Sequence, residues 1–104
     1  MKLWLDDVRE APKGWVWAKT AQVAKDLLDS CEFEQISLDH DLGDEGCGTG
    51  YDVVCHLENK AYEGHPIPQI IEIHSANPVG IARMRAGIES IRRIQETPRR
   101  SPRA

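Results

Sequence analysis

Short apolar runs alternate with helical stripes along most of the chain, and this alternation constrains the fold more than any other feature. Strands separated by helices favour a parallel sheet covered by helices on both faces, which is an α/β fold. Strand-like runs are KLWL (2–5), WVWAKT (15–20), QISL (35–38) and QIIEI (69–73). Helical spacing relates Val23, Ala24, Leu27 and Leu28, then Val53, Val54, Leu57 and Ala61, and finally Ile81, Met84, Ile88 and Ile91.

Two local features refine this pattern. Only about nine residues, DDVREAPKG, separate KLWL from WVWAKT, which is fewer than the dozen or so that a helical crossover needs. We therefore predict a loop or a single turn at the first connection. Asn77 followed by Pro78 is a good N-cap and first-turn pair, so the third helix is predicted to begin there.

The length of the chain fits one domain. With 104 residues, the chain is long enough for a single core, and we predict one domain over residues 1–96 with a basic, flexible tail over residues 97–104. No apolar run is long enough to cross a membrane, and acids follow MKLWL where a signal peptide would stay hydrophobic. We expect a cytoplasmic protein with reduced thiols at Cys31, Cys47 and Cys55.

Polar side chains gather after three of the predicted strands. If the sheet is parallel, the carboxyl ends of these strands meet along one edge, where open α/β sheets bind their ligands. Crowded carboxylates repel one another, and the repulsion is relieved either by raised pKa values that hold a proton or, more simply, by a hard cation such as Mg²⁺ or Mn²⁺. The groups concerned are Asp6, Asp7 and Arg9 after the first strand, Asp39, His40 and Asp41 after the third, and His74, Ser75 and Asn77 after the fourth.

Other site types fit the sequence less well. In DHDLGDEGCGTGYD, Gly43 and Asp44 stand in the reverse of the order that a calcium loop requires, and its twelfth position is Gly50 instead of Glu. The glycines of this stretch match neither a P-loop nor a dinucleotide-binding fingerprint. A zinc site remains a minor alternative that lacks paired-ligand spacing, and its ligands would be His40, Cys47, Cys55 and His56.

The segments LWLDD, ISLDHDLG and IIEIHSANP resemble a response-regulator receiver domain, with an acidic pair, an acceptor-position Asp and a Ser/Thr after successive strands. More narrowly, LDDVR, LDHD and IHSANPVG resemble the cyclic-phosphate processing receiver-like domains, an offshoot with added histidines. The resemblance runs from about residue 3 to residue 85. It implies a truncated receiver-like, or flavodoxin-like, three-layer fold with a mainly parallel sheet of about four strands.

The resemblance also implies roles for the polar residues at the strand ends. Asp6, Asp7 and Asp39 would hold the divalent metal, and the pocket would be lined by His40, Asp41, His74, Ser75 and Asn77. Ordinary receivers carry a Lys after a fifth strand, but the last lysine here is Lys60, and one helix beyond the fourth strand leaves no room for that strand. Both departures disfavour phosphorylation of Asp39 as the output.

These observations lead to one main hypothesis. A metal-assisted phosphoesterase would open a small cyclic nucleotide or a cyclic-phosphate end of a nucleic acid, with His40 and His74 as an acid/base pair. The helix N-terminus at Asn77 and the guanidinium of Arg9 would attract the phosphate. The alternatives are a non-catalytic module that binds a phosphorylated or cyclic nucleotide, and a degenerate receiver phosphorylated on Asp39. No membrane association or obligatory protein partner is predicted.

Overall fold

The computed structural model describes residues 1–43 and 45–96, which form a four-stranded parallel sheet in the order β2-β1-β3-β4. Its strands are β1 (Lys2–Leu5), β2 (Val16–Ala18), β3 (Gln35–Leu38) and β4 (Ile70–Ile73). The predicted strands are confirmed, although β2 and β4 are shorter than their apolar runs. All three strand pairs are parallel, so the carboxyl ends of the strands form one rim.

A polar residue precedes each helix, and its side chain accepts a hydrogen bond from a backbone amide of the first turn. Thr20 caps α1 (Ala21–Ser30), and Thr49 forms a capping box with Asp52 at the start of α2 (Gly50–Tyr62). The predicted start of α3 (Pro78–Glu96) is confirmed, because Asn77 Oδ1 accepts a hydrogen bond from the Gly80 amide at 3.1 Å. A short 3₁₀ turn, Glu45–Cys47, precedes α2.

The hydrophobic core lies between the helices and one face of the sheet. Leu3, Leu5, Ile36 and Leu38 project from the strands into this core, where they meet buried residues of all three helices. Helix α2 contacts both α1 and α3, so the three helices share that face. The α/β class and the truncated receiver-like parallel sheet are confirmed. The second helical layer that the pattern predicts is not found within residues 1–43 and 45–96.

The first crossover explains why the second face has no helix from this part of the chain. Residues 6–15 connect β1 to β2 as a loop, as their number predicts. This loop covers part of the second face by accepting indole hydrogen bonds, from Trp4 Nε1 to the Arg9 carbonyl at 2.9 Å and from Trp17 Nε1 to the Asp6 carbonyl at 2.8 Å. The second face of the sheet therefore carries aromatic and polar groups, and the loop that covers part of it starts at the rim.

One residue of the first apolar helical stripe does not join the core. Val23 is 44% exposed, because the inward stripe of α1 runs through Ala21, Ala24 and Leu28, and Val23 lies beyond its edge. The cysteines Cys31, Cys47 and Cys55 are free, as expected. In the part of the chain that the structure describes, no helix combines the length and apolarity needed to span a membrane. The predicted tail, residues 97–104, lies outside the described residues.

Candidate functional site

Three carboxylates meet at the rim where β1 and β3 end. Asp6, Asp7 and Asp39 each contribute one oxygen to a group in which all oxygens lie within 4.8 Å of one another. Strands β1 and β3 are hydrogen-bonded neighbours with Leu5 paired to Leu38, so the residues that follow them leave the sheet side by side. The convergence predicted from the strand ends is therefore present for all three acids.

Asp6 is the most constrained of the three acids, with only 1% of its surface exposed. Its Oδ1 accepts hydrogen bonds from the Val8 and Arg9 amides at 2.8 Å each, and its Oδ2 lies 3.0 Å from His74 Nε2. Burial by itself would raise the pKa of Asp6, but these hydrogen bonds outweigh it and hold the pKa below the ordinary carboxyl value. Asp6 is therefore a fixed negative charge.

The ring of His74 is fixed by contacts with three side chains. Its Nε2 meets Asp6, its Nδ1 lies 2.7 Å from Ser37 Oγ, and its ring stacks on Trp4 with centroids 3.9 Å apart and planes 6° apart. Arg9 Nη1 donates to the His74 carbonyl at 3.2 Å. Because both ring nitrogens already have partners, His74 exchanges a proton with a ligand only if one of these hydrogen bonds breaks.

Asp39 follows β3 and lies close to Asp6 and Asp7 at the rim. Burial and the nearby charge of Asp6 raise the pKa of Asp39, although hydrogen bonds from the His40 amide and the Ser75 hydroxyl act in the opposite direction. The raised pKa is the electrostatic expression of the carboxylate crowding that the sequence predicts. A cation at this position would relieve that repulsion.

His40 lies on the helical side of the rim in a different arrangement. Its Nδ1 is 3.0 Å from Asp41 Oδ1, and Asn77 Nδ2 donates to the same carboxylate at 3.3 Å. Hydrogen bonds from His40 and Asn77 lower the pKa of Asp41, so this carboxylate stays ionised. Within residues 1–43 and 45–96, His40 Nε2 has no hydrogen-bond partner. A ligand that reached this nitrogen would displace no protein hydrogen bond, and 14% of the His40 side chain is exposed.

Two glycines make room for this side of the site. A Cβ on Gly80 would lie 2.4 Å from His40 Cγ, so the imidazole packs directly against the first turn of α3. A Cβ on Gly50 would lie 2.1 Å from the Asp39 carbonyl oxygen and 2.9 Å from Met84 Sδ. The absence of side chains at both positions lets α2 and α3 approach the end of β3.

The other predicted pocket residues lie at the same rim but have structural partners. Ser75 Oγ accepts a hydrogen bond from the Asn77 amide at 3.1 Å, and the Arg9 side chain is exposed beside β4. Asn77 is committed on both sides of its amide group, to the start of α3 and to Asp41. The structure thus brings all of the predicted site residues to one end of the sheet.

The three acids offer a set of oxygen donors for a hard cation. Asp6, Asp7 and Asp39 would hold the ion, because carboxylate oxygens within 4.8 Å of one another are the kind of ligand that Mg²⁺ or Mn²⁺ prefers. Asp6 already accepts three hydrogen bonds, which leaves Asp7 and Asp39 as the carboxylates with more oxygen lone pairs to offer. The residues present therefore fit a divalent cation.

The alternative zinc ligands are not assembled. His56 Nε2 instead meets Asp29 at 2.8 Å, and His40 is engaged by Asp41. Among the described residues, the three rim acids are the only cluster of His, Cys, Asp or Glu side chains with metal-ligand spacing.

Comparison with known proteins bears on the same residues. A family model described as the cyclic-phosphate processing receiver domain matches residues 1–90, which include every strand and all of the rim. The chain belongs to this family. Searches of curated proteins and of solved structures returned no significant match. As a member of this family, the chain is a receiver-like domain associated with cyclic-phosphate processing.

Sequence reasoning missed three residues that shape the site of this receiver domain. Ser37 and Trp4 hold His74, and Gly80 accommodates His40. The signal for Ser37 was a polar residue inside the apolar strand QISL. By the twofold alternation of strands it shares a face with Asp39, and its register partner Glu72 shares that face with His74. The stack on Trp4 depends on tertiary packing and has no signature in the sequence.

The raised pKa of Asp39 has a consequence for stability. Without a divalent cation, Asp39→Asn is expected to raise the free energy of unfolding at neutral pH by about 1 kcal/mol, because it removes a negative charge that is partly buried and lies beside Asp6. Urea denaturation with and without Mg²⁺ measures this change. The matched surface variant Glu32→Gln should leave stability within about 0.5 kcal/mol.

The same substitution tests cation binding. Stabilisation by Mg²⁺ or Mn²⁺ should be present in the wild-type domain and in Glu32→Gln, and it should be lost in Asp39→Asn. In the wild type, cation affinity should fall as the pH drops through the raised pKa of Asp39, since protons then compete for the carboxylate. Equal cation stabilisation in Asp39→Asn and the wild type would contradict this assignment.

Proposed function

We propose that this domain is a metal-assisted phosphoesterase that hydrolyses cyclic phosphates, either small cyclic nucleotides or cyclic-phosphate ends of nucleic acids. The observation that carries the proposal is the juxtaposition, at one rim, of a carboxylate cluster and an imidazole with a free nitrogen. Asp6, Asp7 and Asp39 would hold a Mg²⁺ or Mn²⁺ ion, and His40 would face the reacting phosphate. When bound, the cation would stabilise the charge that develops on the phosphate oxygens.

His40 is the residue best suited to move the proton. Hydrolysis adds water across a phosphorus–oxygen bond, so one proton leaves the attacking water and one proton must reach the departing sugar oxygen. With Nδ1 directed to the ionised Asp41, Nε2 of a neutral His40 presents a lone pair to water. The same nitrogen can then return the proton to the sugar oxygen, which balances the reaction without a second imidazole.

His74 has a different role in this proposal. The sequence hypothesis makes His40 and His74 an acid/base pair and leaves open which of them is the acid, but both nitrogens of His74 are engaged by Asp6 and Ser37. We therefore assign His74 to orienting Asp6. If only His40 transfers protons, substitutions of His40 and of His74 should have different effects on kcat.

Binding of the phosphate would use positive groups near the rim. The start of α3 offers less than a typical helix N-terminus, because Pro78 has no N–H and the Gly80 amide is bonded to Asn77. The Val79 amide and the exposed Arg9 guanidinium are the remaining contacts proposed for the phosphate. Arg9→Gln should therefore raise KM about tenfold and leave kcat nearly unchanged, as measured by initial rates over a range of substrate concentrations.

The proposal is tested by incubating the purified domain with 2',3'-cyclic and 3',5'-cyclic nucleotides in Mg²⁺ or Mn²⁺. Chromatography should show cation-dependent conversion to a phosphomonoester. Tight calorimetric binding with the nucleotide recovered intact would overturn the enzymatic reading in favour of a binding module. A stable beryllofluoride complex at Asp39 without turnover would instead favour a receiver-type phosphoacceptor.

A further inference from the structure

Asp6 and Ser37 are the only buried polar residues of the described chain, and the ring of His74 joins them. They are 1% and 4% exposed, respectively. The imidazole lies between them, with Nε2 at 3.0 Å from Asp6 Oδ2 and Nδ1 at 2.7 Å from Ser37 Oγ. Buried polar groups are costly unless each donor meets an acceptor. The hydrogen positions in the row formed by Asp6, His74 and Ser37 can therefore be assigned by elimination.

The row has one arrangement that satisfies every group. Asp6 takes two backbone amide hydrogens on Oδ1 and is an acceptor throughout, so the hydrogen between it and His74 belongs to Nε2. The Ser37 hydroxyl has no other hydrogen-bond partner in residues 1–43 and 45–96. It therefore donates to Nδ1, because the opposite direction would leave its own hydrogen unpaired in the core.

Trp4 fixes the plane of the same ring. The indole and the imidazole are nearly parallel at 3.9 Å, and the Trp4 Nε1–H is anchored to the Arg9 carbonyl. Arg9 also supplies one of the amides that bind Asp6. The ring is thus restrained in its plane by Trp4 and in its rotation by Ser37 and Asp6.

We propose that Ser37 is a positioning residue, which holds His74 as the Nε2–H tautomer and through it fixes the Asp6 carboxylate at the cation site. The inference rests on the proposed function for the cation, but the tautomer itself is a property of the domain without any ligand. Groups that orient a ligating carboxylate typically change metal affinity by about 10- to 100-fold when they are removed.

Ser37→Ala tests the role of the hydroxyl, with Ser37→Thr as the rescue. In the wild type without metal, nitrogen-15 spectra of the imidazole should show His74 with a protonated Nε2 and a hydrogen-bonded, unprotonated Nδ1. Ser37→Ala should shift the Nδ1 resonance or mix the tautomers, and Ser37→Thr should restore the wild-type pattern. Calorimetry should show Mn²⁺ affinity at least about tenfold lower in Ser37→Ala than in the wild type.

A second serine provides the control. Ser90→Ala removes the hydrogen bond from Ser90 to Glu58 between α3 and α2, and should change neither the His74 resonances nor the affinity for Mn²⁺. His74 resonances that are unchanged in Ser37→Ala would overturn the inference, as would an equal loss of affinity in Ser90→Ala. A wild type that binds no Mn²⁺ would refute the proposed function, while the metal-free spectra would still decide the role of Ser37.

Discussion

Replacing His40 with glutamine is expected to lower kcat for a cyclic nucleotide by about 10²- to 10⁴-fold, the usual contribution of general acid–base catalysis. Glutamine can still donate to Asp41, but it has no nitrogen that accepts and returns a proton near pH 7. The glutamine side chain should keep the place of the imidazole at the rim, because the lack of a side chain at Gly80 leaves room for it. The metal concentration that gives half-maximal activity should stay close to the wild-type value.

His74→Gln is the matched comparison. Its amide can donate to Asp6 and accept from Ser37, so a histidine that acts only by orientation should tolerate this change. We expect kcat to stay within about tenfold of the wild-type value and the requirement for metal to rise. Initial rates measured over a series of Mn²⁺ concentrations separate the two effects. Equal losses of kcat in the two variants would instead support a symmetrical acid/base pair, and full activity in His40→Gln would refute the role given to His40.

Gly50→Ala is expected to lower the free energy of unfolding by about 3 kcal/mol, the largest stability effect that the site predicts. The new methyl group would lie 2.1 Å from the Asp39 carbonyl oxygen, well inside van der Waals contact. Met84 Sδ, at 2.9 Å, can move with its flexible side chain, but the Asp39 carbonyl belongs to the backbone at the end of β3. The Gly50 amide also donates to the His40 carbonyl at 3.0 Å, so a shift here would disturb the rim.

Urea denaturation of Gly50→Ala and Gly46→Ala together measures this effect. A Cβ at Gly46 would meet nothing within 4 Å, and the residue is exposed. Gly46→Ala should therefore stay within about 0.5 kcal/mol of the wild type. A Gly50→Ala variant that is as stable as Gly46→Ala would show that α2 and β3 do not approach as closely as described.

Much of this arrangement could be predicted from the sequence because strand ends obey simple rules. The strand-like runs KLWL and QISL located β1 and β3, and parallel pairing then placed Asp6 beside Asp39. The short first connection also predicted a loop correctly. The distribution of helices between the faces was harder, because amphipathic stripes show that a helix is half buried but not which face of the sheet it covers.

The division of labour between the histidines could not be read from the sequence. His40 and His74 occupy similar positions after their strands, yet one has a free nitrogen and the other has none. The difference arises from side chains distant in sequence, since Ser37 is 37 residues from His74. Such contacts depend on the register of β3 against β4, which periodicity alone does not specify.

Paramagnetic broadening by Mn²⁺ in the amide spectrum of the domain tests the central claim most directly, because it locates the cation without requiring turnover. Substoichiometric Mn²⁺ should first broaden the amides of Val8 and His40, which adjoin the carboxylate cluster. The amides of Glu34 and Ile70 lie at the opposite end of the sheet and should stay sharp. Broadening centred on Asp29 and His56, or spread evenly over the domain, would contradict a cation site at the rim.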